Sequence, residues 1–186
     1  MAHSPAVPGL DDPRKLRSRA LLLQAFFDLV VSRPYGEISV ARVVERAGVA
    51  RSTFYEHFRG KDDLLADSLR GPLGALANAM VDSASIPALE GVLAHFWQNR
   101  AQAVAILRGA LGRRAQGVLA TLMEQRLRRF EPLRVPVRLA AVQLAGLQLA
   151  GVGHWLEGGS QLSASDLARS LCDSVIAARR ALQVTG

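Results

Sequence analysis

Residues 38–61 constrain the fold of this chain more than any other stretch, because their sequence, ISVARVVERAGVARSTFYEHFRGK, sets two short helical patterns around one glycine. Ser39 is a favoured N-cap residue. The apolar residues behind it follow the spacing of one short amphipathic helix: Val40, Val43, Val44 and Ala47. Gly48 tolerates the left-handed backbone that ends many helices, so the first helix should stop there and a second should follow the turn.

The second helical pattern presents hydrogen-bonding residues on the side away from its apolar pair, Phe54 and Phe58. Two helices joined in this way form a helix-turn-helix, whose second helix enters the DNA major groove with its N-terminal residues at the base edges. We therefore predict base contacts from Arg51, Ser52 and Thr53. The predicted phosphate contacts come from Tyr55, His57 and Lys61, with Ser39 and Arg42 of the preceding helix also at the DNA surface. For His57 a structural role beneath the phosphate contact stays open.

These residues resemble the DNA-binding domain of the TetR (tetracycline-repressor) family of bacterial transcription regulators. The resemblance rests on Ala47-Gly48-Val49, followed by Thr53-Phe54-Tyr55-x-His57-Phe58-x-x-Lys61 and by Leu64-Leu65. It extends over about residues 12–70. Two positions depart from the family pattern: Ala50 replaces the usual Ser or Thr cap of the second helix, and Glu56 brings a negative charge to a place where DNA can pass.

Composition predicts an all-α chain of about nine helices. Ala, Leu and Arg are abundant, aromatic residues make up only 5%, and alternating strand patterns are hard to find. We expect a disordered tail at residues 1–11, a helix-turn-helix domain of three helices at 12–70, and a helical ligand-binding and dimerisation domain at 71–186. A single cysteine, Cys172, excludes an internal disulfide framework and a Cys-based metal cluster, which fits a cytoplasmic protein. No cofactor or metal ion is predicted.

The net charge of +7 is spread unevenly along the chain. Residues 1–70 hold 11 Lys and Arg against 9 Asp and Glu, a surplus of 2, and the remaining 12 against 7 give +5. The basic residues at 14–19 are either a phosphate-binding arm or a solvated helix face. Residues 100–138 hold nine arginines but only two acidic residues, Glu124 and Glu131. That cluster is either a solvated set of long side chains or an attraction for an anionic ligand or DNA.

The first helix should begin at Asp12-Pro13, a capping residue followed by proline. Its predicted buried stripe steps by three and four residues through Leu16, Ala20, Leu23, Phe27 and Val30. The domain boundary is placed near Gly71-Pro72, where either one bent helix links both domains or two helices meet.

The segment 137–156 is apolar nearly all round and therefore needs cover on two sides. We reject a membrane span, because Gln143, Gln148 and His154 are costly in lipid and much of the segment is Ala and Gly. In water, the chain's own domain would cover one side of this segment and a second subunit the other. We therefore predict a homodimer through residues 137–156 and 163–182, the pairing that the TetR resemblance also implies.

The same resemblance implies a small-molecule effector bound in the C-terminal domain and a palindromic DNA operator. The predicted pocket lies between the helices of residues 86–130 and the inner face of 137–156. Its candidate lining residues are Phe96, Trp97, Met123 and Trp155, with His95 and His154 as possible polar anchors.

The implied function is a DNA-binding transcription regulator, a repressor that a ligand releases. An enzyme is not expected, because the sequence has no nucleophile motif, phosphate loop or paired catalytic carboxylates. The alternative is a ligand-independent structural or division-control protein on the same fold. A sizeable cavity in the C-terminal domain would favour ligand control, and a filled core would favour the alternative.

Overall fold

The computed structural model of the chain describes residues 12–108 and 110–184, and the predicted tail at 1–11 lies outside them. Within the described residues the fold is all-α, as predicted. Nine α-helices follow one another: α1 Pro13–Ser32, α2 Val40–Ala47, α3 Arg51–His57, α4 Lys61–Ala79, α5 Ile86–Gln98, α6 Arg100–Arg108, α7 Ala110–Leu127, α8 Val137–Leu156 and α9 Ala164–Leu182. Short 3-10 helices occupy Tyr35–Glu37, Ser83–Ser85 and Arg128–Phe130. The chain forms two compact units that divide between Leu65 and Ala66.

In the N-terminal unit, α1 begins where the sequence predicts. The side chain of Asp12 accepts a hydrogen bond of 2.9 Å from the Arg14 amide, and Pro13 occupies the first turn. The predicted buried stripe, however, is wrong: Leu16 and Phe27 are 52% and 41% exposed. The residues that pack inside are instead Leu22, Ala25, Phe26 and Leu29. Because this part of α1 is apolar on nearly every side, spacing alone fitted two neighbouring faces equally well.

The helix α4 runs without interruption through Pro72, so of the two arrangements left open by the sequence the single helix is the one observed. The division between the two units falls inside this helix rather than at Gly71-Pro72. Leu64 and Leu65 belong to the first unit, and Leu73 and Leu76 are buried in the core of the second. Both units therefore include part of one helix.

The core of the C-terminal unit is built from α4, α5, α7, α8 and α9. Ser163 caps the N-terminus of α9: its Oγ accepts from the Asp166 amide at 3.1 Å and donates to the Asp166 carboxylate at 2.7 Å. Cys172 is buried and donates to the carbonyl of Ala79 at 3.3 Å. Arg179 is also buried, and its Nε donates to the carbonyl of Met80 at 2.8 Å. The C-terminal end of α4 is thus held by two side chains of α9.

One described helix, α8, is long and apolar enough to cross a membrane by length and composition alone, and 44% of its most apolar window is buried inside the protein. Its inner face contains Leu144, Gln148, Val152 and Trp155, all buried. Its outer face carries three large exposed apolar residues, Leu139, Val142 and Leu147.

Candidate functional site

The predicted helix-turn-helix is formed by α2, the turn at Gly48 and α3. Ser39 caps α2 by accepting a hydrogen bond of 3.3 Å from the Arg42 amide. Gly48 has a φ of 65°, in the left-handed region, and its amide and that of Val49 donate to the last carbonyls of α2. A side chain at Gly48 would strain this backbone, which explains why glycine ends the helix.

Two phenylalanines fix α3 from beneath. Phe54 is fully buried and Phe58 is 4% exposed, and their ring centroids lie 5.7 Å apart. Spacing of four residues places both rings on one side of α3. The opposite side therefore faces solvent: Arg51, Ser52 and Tyr55 are exposed, and Thr53 is half-buried. Ala50, at the N-cap, makes no side-chain hydrogen bond, which leaves the first amides of α3 without a side-chain cap.

Arg51 and Tyr55 form a pair one turn apart on the exposed side of α3. The Arg51 guanidinium donates to the Tyr55 hydroxyl at 3.3 Å and lies 5.7 Å from the centre of its ring. The guanidinium has five N–H donors, so this bond leaves enough of them to reach a base or a phosphate. The contact orients Arg51 before any partner arrives.

His57 and Lys61 do not point outward as the phosphate prediction required. The His57 Nε2 lies 2.7 Å from the Ser18 Oγ of α1. Since that hydroxyl donates its one proton to the Lys15 carbonyl at 3.0 Å, the imidazole is the donor in this pair. His57 therefore ties α3 to α1, and the structural role that the sequence left open is the one its geometry supports.

The Lys61 ammonium is directed into the N-terminal unit. It donates to the carbonyls of Tyr35 at 3.0 Å and Ile38 at 2.9 Å, and it lies 4.4 Å from the centre of the Tyr35 ring. The Tyr35 hydroxyl in turn donates to the carboxylate of Asp62. Lys61 thus joins the start of α4 to the segment before α2, a role different from the predicted phosphate contact.

An ion pair joins α1 to α2 on the same unit. Arg46 donates to Asp28 at 2.8 Å through Nη2 and at 3.1 Å through Nε, and Gln24 donates to Asp28 at 2.9 Å. The hydrogen bond from Arg46, helped by that from Gln24, holds the pKa of Asp28 below its ordinary value. This charge of α2 is therefore already neutralised within the protein.

The residues predicted to line a ligand pocket are scattered through the C-terminal unit. Met123 is fully buried in the core, and Phe96 packs at its edge. Trp155 is buried, stacks on the half-exposed Trp97 with ring centroids 4.6 Å apart, and donates its indole N–H to the Leu162 carbonyl at 2.8 Å. His95 is exposed on α5. The predicted set does not surround one cavity.

Two adjoining clefts lie instead beside the outer part of α8. The larger has a volume of about 520 Å³ and is lined by α6, α7 and α8. The smaller has about 450 Å³ and lies between α6 and the end of α8. Arg108 and Glu157 line both clefts, and their side chains form an ion pair of 2.6 Å. Of the six predicted ligand-binding residues, only His154 lines one of these clefts.

A family model for bacterial regulatory proteins of the tetR family matches residues 22–67, which contain α2, Gly48 and α3. This helix-turn-helix segment is therefore of the TetR type.

Two bacterial regulators align with short segments of this chain. It is 29% identical over 69 residues to the HTH-type dhaKLM operon transcriptional activator DhaS of Lactococcus lactis, and the alignment covers 37% of each protein. It is 33% identical over 55 residues to YxbF of Bacillus subtilis, an uncharacterized HTH-type transcriptional regulator, over 29% of this chain and 14% of that one. The chain thus matches well under half the length of either relative.

Solved structures share the fold over nearly the whole chain. A TetR-family regulator from Streptomyces coelicolor A3 matches with a TM-score of 0.63 at 19% identity, over 92% of this chain and 99% of its own. A TetR transcriptional regulator from Streptococcus agalactiae 2603V matches with a TM-score of 0.54 at 23% identity, over 87% and 95%. At these identities the likeness shows the fold of the TetR family.

The sequence did not predict two residues that hold the functional helices in place: Ser18, which bonds to His57 of α3, and Tyr35, which bonds to Lys61 of α4. Ser18 lies 39 residues from His57, so no local pattern connects them. For Tyr35 a signal was present: Lys61 stands at the N-terminus of α4, where the helix dipole disfavours a cation, so its ammonium should seek other acceptors. The carbonyl of Tyr35, in the 3-10 helix that precedes α2, is one of these acceptors.

Proposed function

We propose that this TetR-family protein is a DNA-binding transcription regulator of the bacterial cytoplasm, with α3 as the helix that enters the major groove. The observation that carries the proposal is the row of exposed Arg51 and Ser52 and half-buried Thr53 at the start of a helix that Phe54 and Phe58 anchor from below. Arginine can bind guanine through two donors, and hydroxyls can bind bases or phosphates. Tyr55 follows one turn later for a phosphate.

The remaining DNA contacts in this proposal come from Ser39 and Arg42 at the start of α2, while His57 and Lys61 act by holding α3 and α4 in place. The test is selection of an operator from random DNA, followed by binding measurements on single variants. Arg51→Ala should relax preference at one base position by about 1–3 kcal/mol. Arg33→Ala, which removes an exposed arginine just after α1, is the matched control. Equal losses on the operator and on random DNA for Arg51→Ala would contradict base reading by α3.

We propose further that two copies pair through α8 and α9 and read a palindromic operator. The outer face of α8 supports this pairing, because Leu139, Val142 and Leu147 are 47%, 38% and 43% exposed there. A row of large apolar residues on one helix face favours contact with another apolar surface over contact with water. A closed two-fold dimer would bring two copies of α3 to successive major grooves.

Control by a small molecule is the third part of the proposal, with repression as the direction of regulation. The cleft of about 520 Å³ has the size of sites that bind small molecules and is flanked by three helices, a feature that favours ligand control over the ligand-independent structural role. A ligand that binds one arrangement of the domain better would shift the population away from the one that fits DNA. A compound screen on the operator complex tests this, and a tight specific complex that no compound releases would favour the structural alternative.

A further inference from the structure

The larger cleft combines an apolar floor with a cationic rim. Leu107 and Leu149 supply the apolar side chains, and Gly146 and Gly153 supply backbone without side chains. A β-carbon at Gly153 would meet no atom within 4 Å, so the space above this residue is open. The floor can therefore take an extended apolar group laid along α8.

The rim of the two clefts carries three arginines, Arg100, Arg108 and Arg113, against one carboxylate, Glu157. Arg108 is engaged by Glu157, which raises the pKa of the arginine and lowers the pKa of Glu157, so both stay charged. Arg100 donates to the Leu156 carbonyl and lies 4.9 Å from the centre of the Trp97 indole. The Arg113 side chain makes no hydrogen bond or ion pair with another described residue, so its charge is available to a ligand in the larger cleft.

We propose that the larger cleft binds a small organic anion with an apolar chain, its carboxylate or phosphate on Arg113 and its chain over Leu107, Leu149 and Gly153. An arginine fork matches either anion with two parallel hydrogen bonds. The inference rests on the proposed ligand control, because it names the class of effector. It also assigns a role to Arg113, one of the nine arginines of residues 100–138 whose purpose the sequence left open.

The charge of the ligand is tested by calorimetric titration of the full chain with octanoate, octyl phosphate, 1-octanol and inorganic phosphate. The inference expects saturable binding of octanoate or octyl phosphate, and the stronger of the two identifies the anion. Octanol should bind at least about tenfold more weakly, since it lacks the charge that Arg113 recognises. Inorganic phosphate should not saturate, since it lacks the chain. Octanol binding as tight as both anions, or no saturation by either anion, would overturn the inference.

The location is tested with two variants and a matched control for each. Arg113→Gln should weaken anion binding at least about tenfold, whereas Arg129→Gln, an exposed arginine outside both clefts, should leave it within about twofold. Gly153→Leu should abolish binding by filling the cleft without removing a charge. Gly91→Leu fills equally open space on α5, away from both clefts, and should not affect binding. Unchanged binding in Gly153→Leu, with helix content and dimer size as in wild type, refutes the site.

Operator binding measured on the same samples distinguishes failure of this inference from failure of the proposed function. If an operator is found and a compound releases it equally from wild type and Arg113→Gln, the inference fails and the regulator proposal stands. If no operator is selected but octanoate or octyl phosphate binds and requires Arg113 and Gly153, the inference stands and the regulator proposal fails. If Arg113→Gln separates the dimer, Arg113 is an interface residue and the anion site is rejected.

Discussion

Replacing Lys61 by methionine tests whether this residue stabilises the N-terminal unit or contacts a DNA phosphate. The change keeps an apolar stem of similar length and removes only the ammonium group, which donates to the carbonyls of Tyr35 and Ile38. Hydrogen bonds to a charged group contribute about 1.5–3 kcal/mol each, and a cation over an aromatic ring about 0.5–2 kcal/mol. A simple sum therefore reaches about 3.5–8 kcal/mol.

Three features of the site reduce that sum. Lys61 is only half-buried, so water can replace part of what the two carbonyls lose. One ammonium shared between two neighbouring acceptors does not give additive contributions. The helix dipole destabilises the Lys61 charge at the N-terminus of α4 by about 0.3–1 kcal/mol, and the methionine variant removes this cost. We expect Lys61→Met to lower the free energy of unfolding of the N-terminal unit by about 2 kcal/mol.

The assay combines urea unfolding with DNA affinity measured over a range of salt concentrations. A phosphate contact contributes about 0.9 to the slope of log affinity against log salt, so loss of one would flatten the slope by about that amount. We expect Lys61→Met to leave the slope unchanged. Lys15→Met, the change at the only other lysine of the chain, is the control: it lies in the basic segment of α1, is exposed, and should leave stability unchanged. If Lys61→Met flattens the slope by about 0.9 and leaves the free energy of unfolding unchanged, the stabilising role of Lys61 is refuted.

Three further predictions concern the dimer face, the core and an ion pair. Leu147→Arg should separate the proposed dimer, because a buried unpaired charge is costly, and size measurement by light scattering would show an undisturbed dimer if this reasoning is wrong. Gln148→Leu should raise the free energy of unfolding by about 1–2 kcal/mol, because both polar atoms of the buried amide lack a hydrogen-bond partner among the described residues, and a lower unfolding midpoint in urea would contradict this. In wild type, the lowered pKa of Asp28 supplies stability that is present above the ordinary carboxyl pKa and is lost as the pH falls through the lowered value. Asp28→Asn should remove this acid-side decline, and thermal unfolding across that pH range would show an unchanged decline if the pair with Arg46 contributes nothing.

The helix-turn-helix could be predicted closely because its determinants are local. The cap at Ser39, the left-handed turn at Gly48 and the pair Phe54 and Phe58 each act within one or two helical turns, and each has the predicted geometry. The register of α1 could not be predicted in the same way. Its buried face depends on contact with α2 and α3, and several apolar residues in a row allow more than one stripe.

The supporting residues and the clefts escaped prediction for a different reason. The partner of His57 lies on another helix, and the direction of the Lys61 side chain depends on carbonyls more than twenty residues away. In the C-terminal unit, aromatic and thioether residues suggested a ligand site, but Met123 and Trp155 fill the core. The cleft arises where glycines of α8 face arginines of α6 and α7, a combination that only the packing of the three helices creates.

The stacked pair Trp97 and Trp155 has a consequence for how the two units can be observed. These are the only tryptophans of the chain, and both lie in the C-terminal unit; the only two tyrosines, Tyr35 and Tyr55, both lie in the N-terminal unit. Excitation at wavelengths longer than the tyrosine absorption band therefore produces fluorescence from the C-terminal unit alone. A titration of Trp emission follows the C-terminal unit, whereas the tyrosine ring signals in proton nuclear magnetic resonance follow the N-terminal unit. The native chain thus carries a separate spectroscopic reporter in each unit, with no label attached.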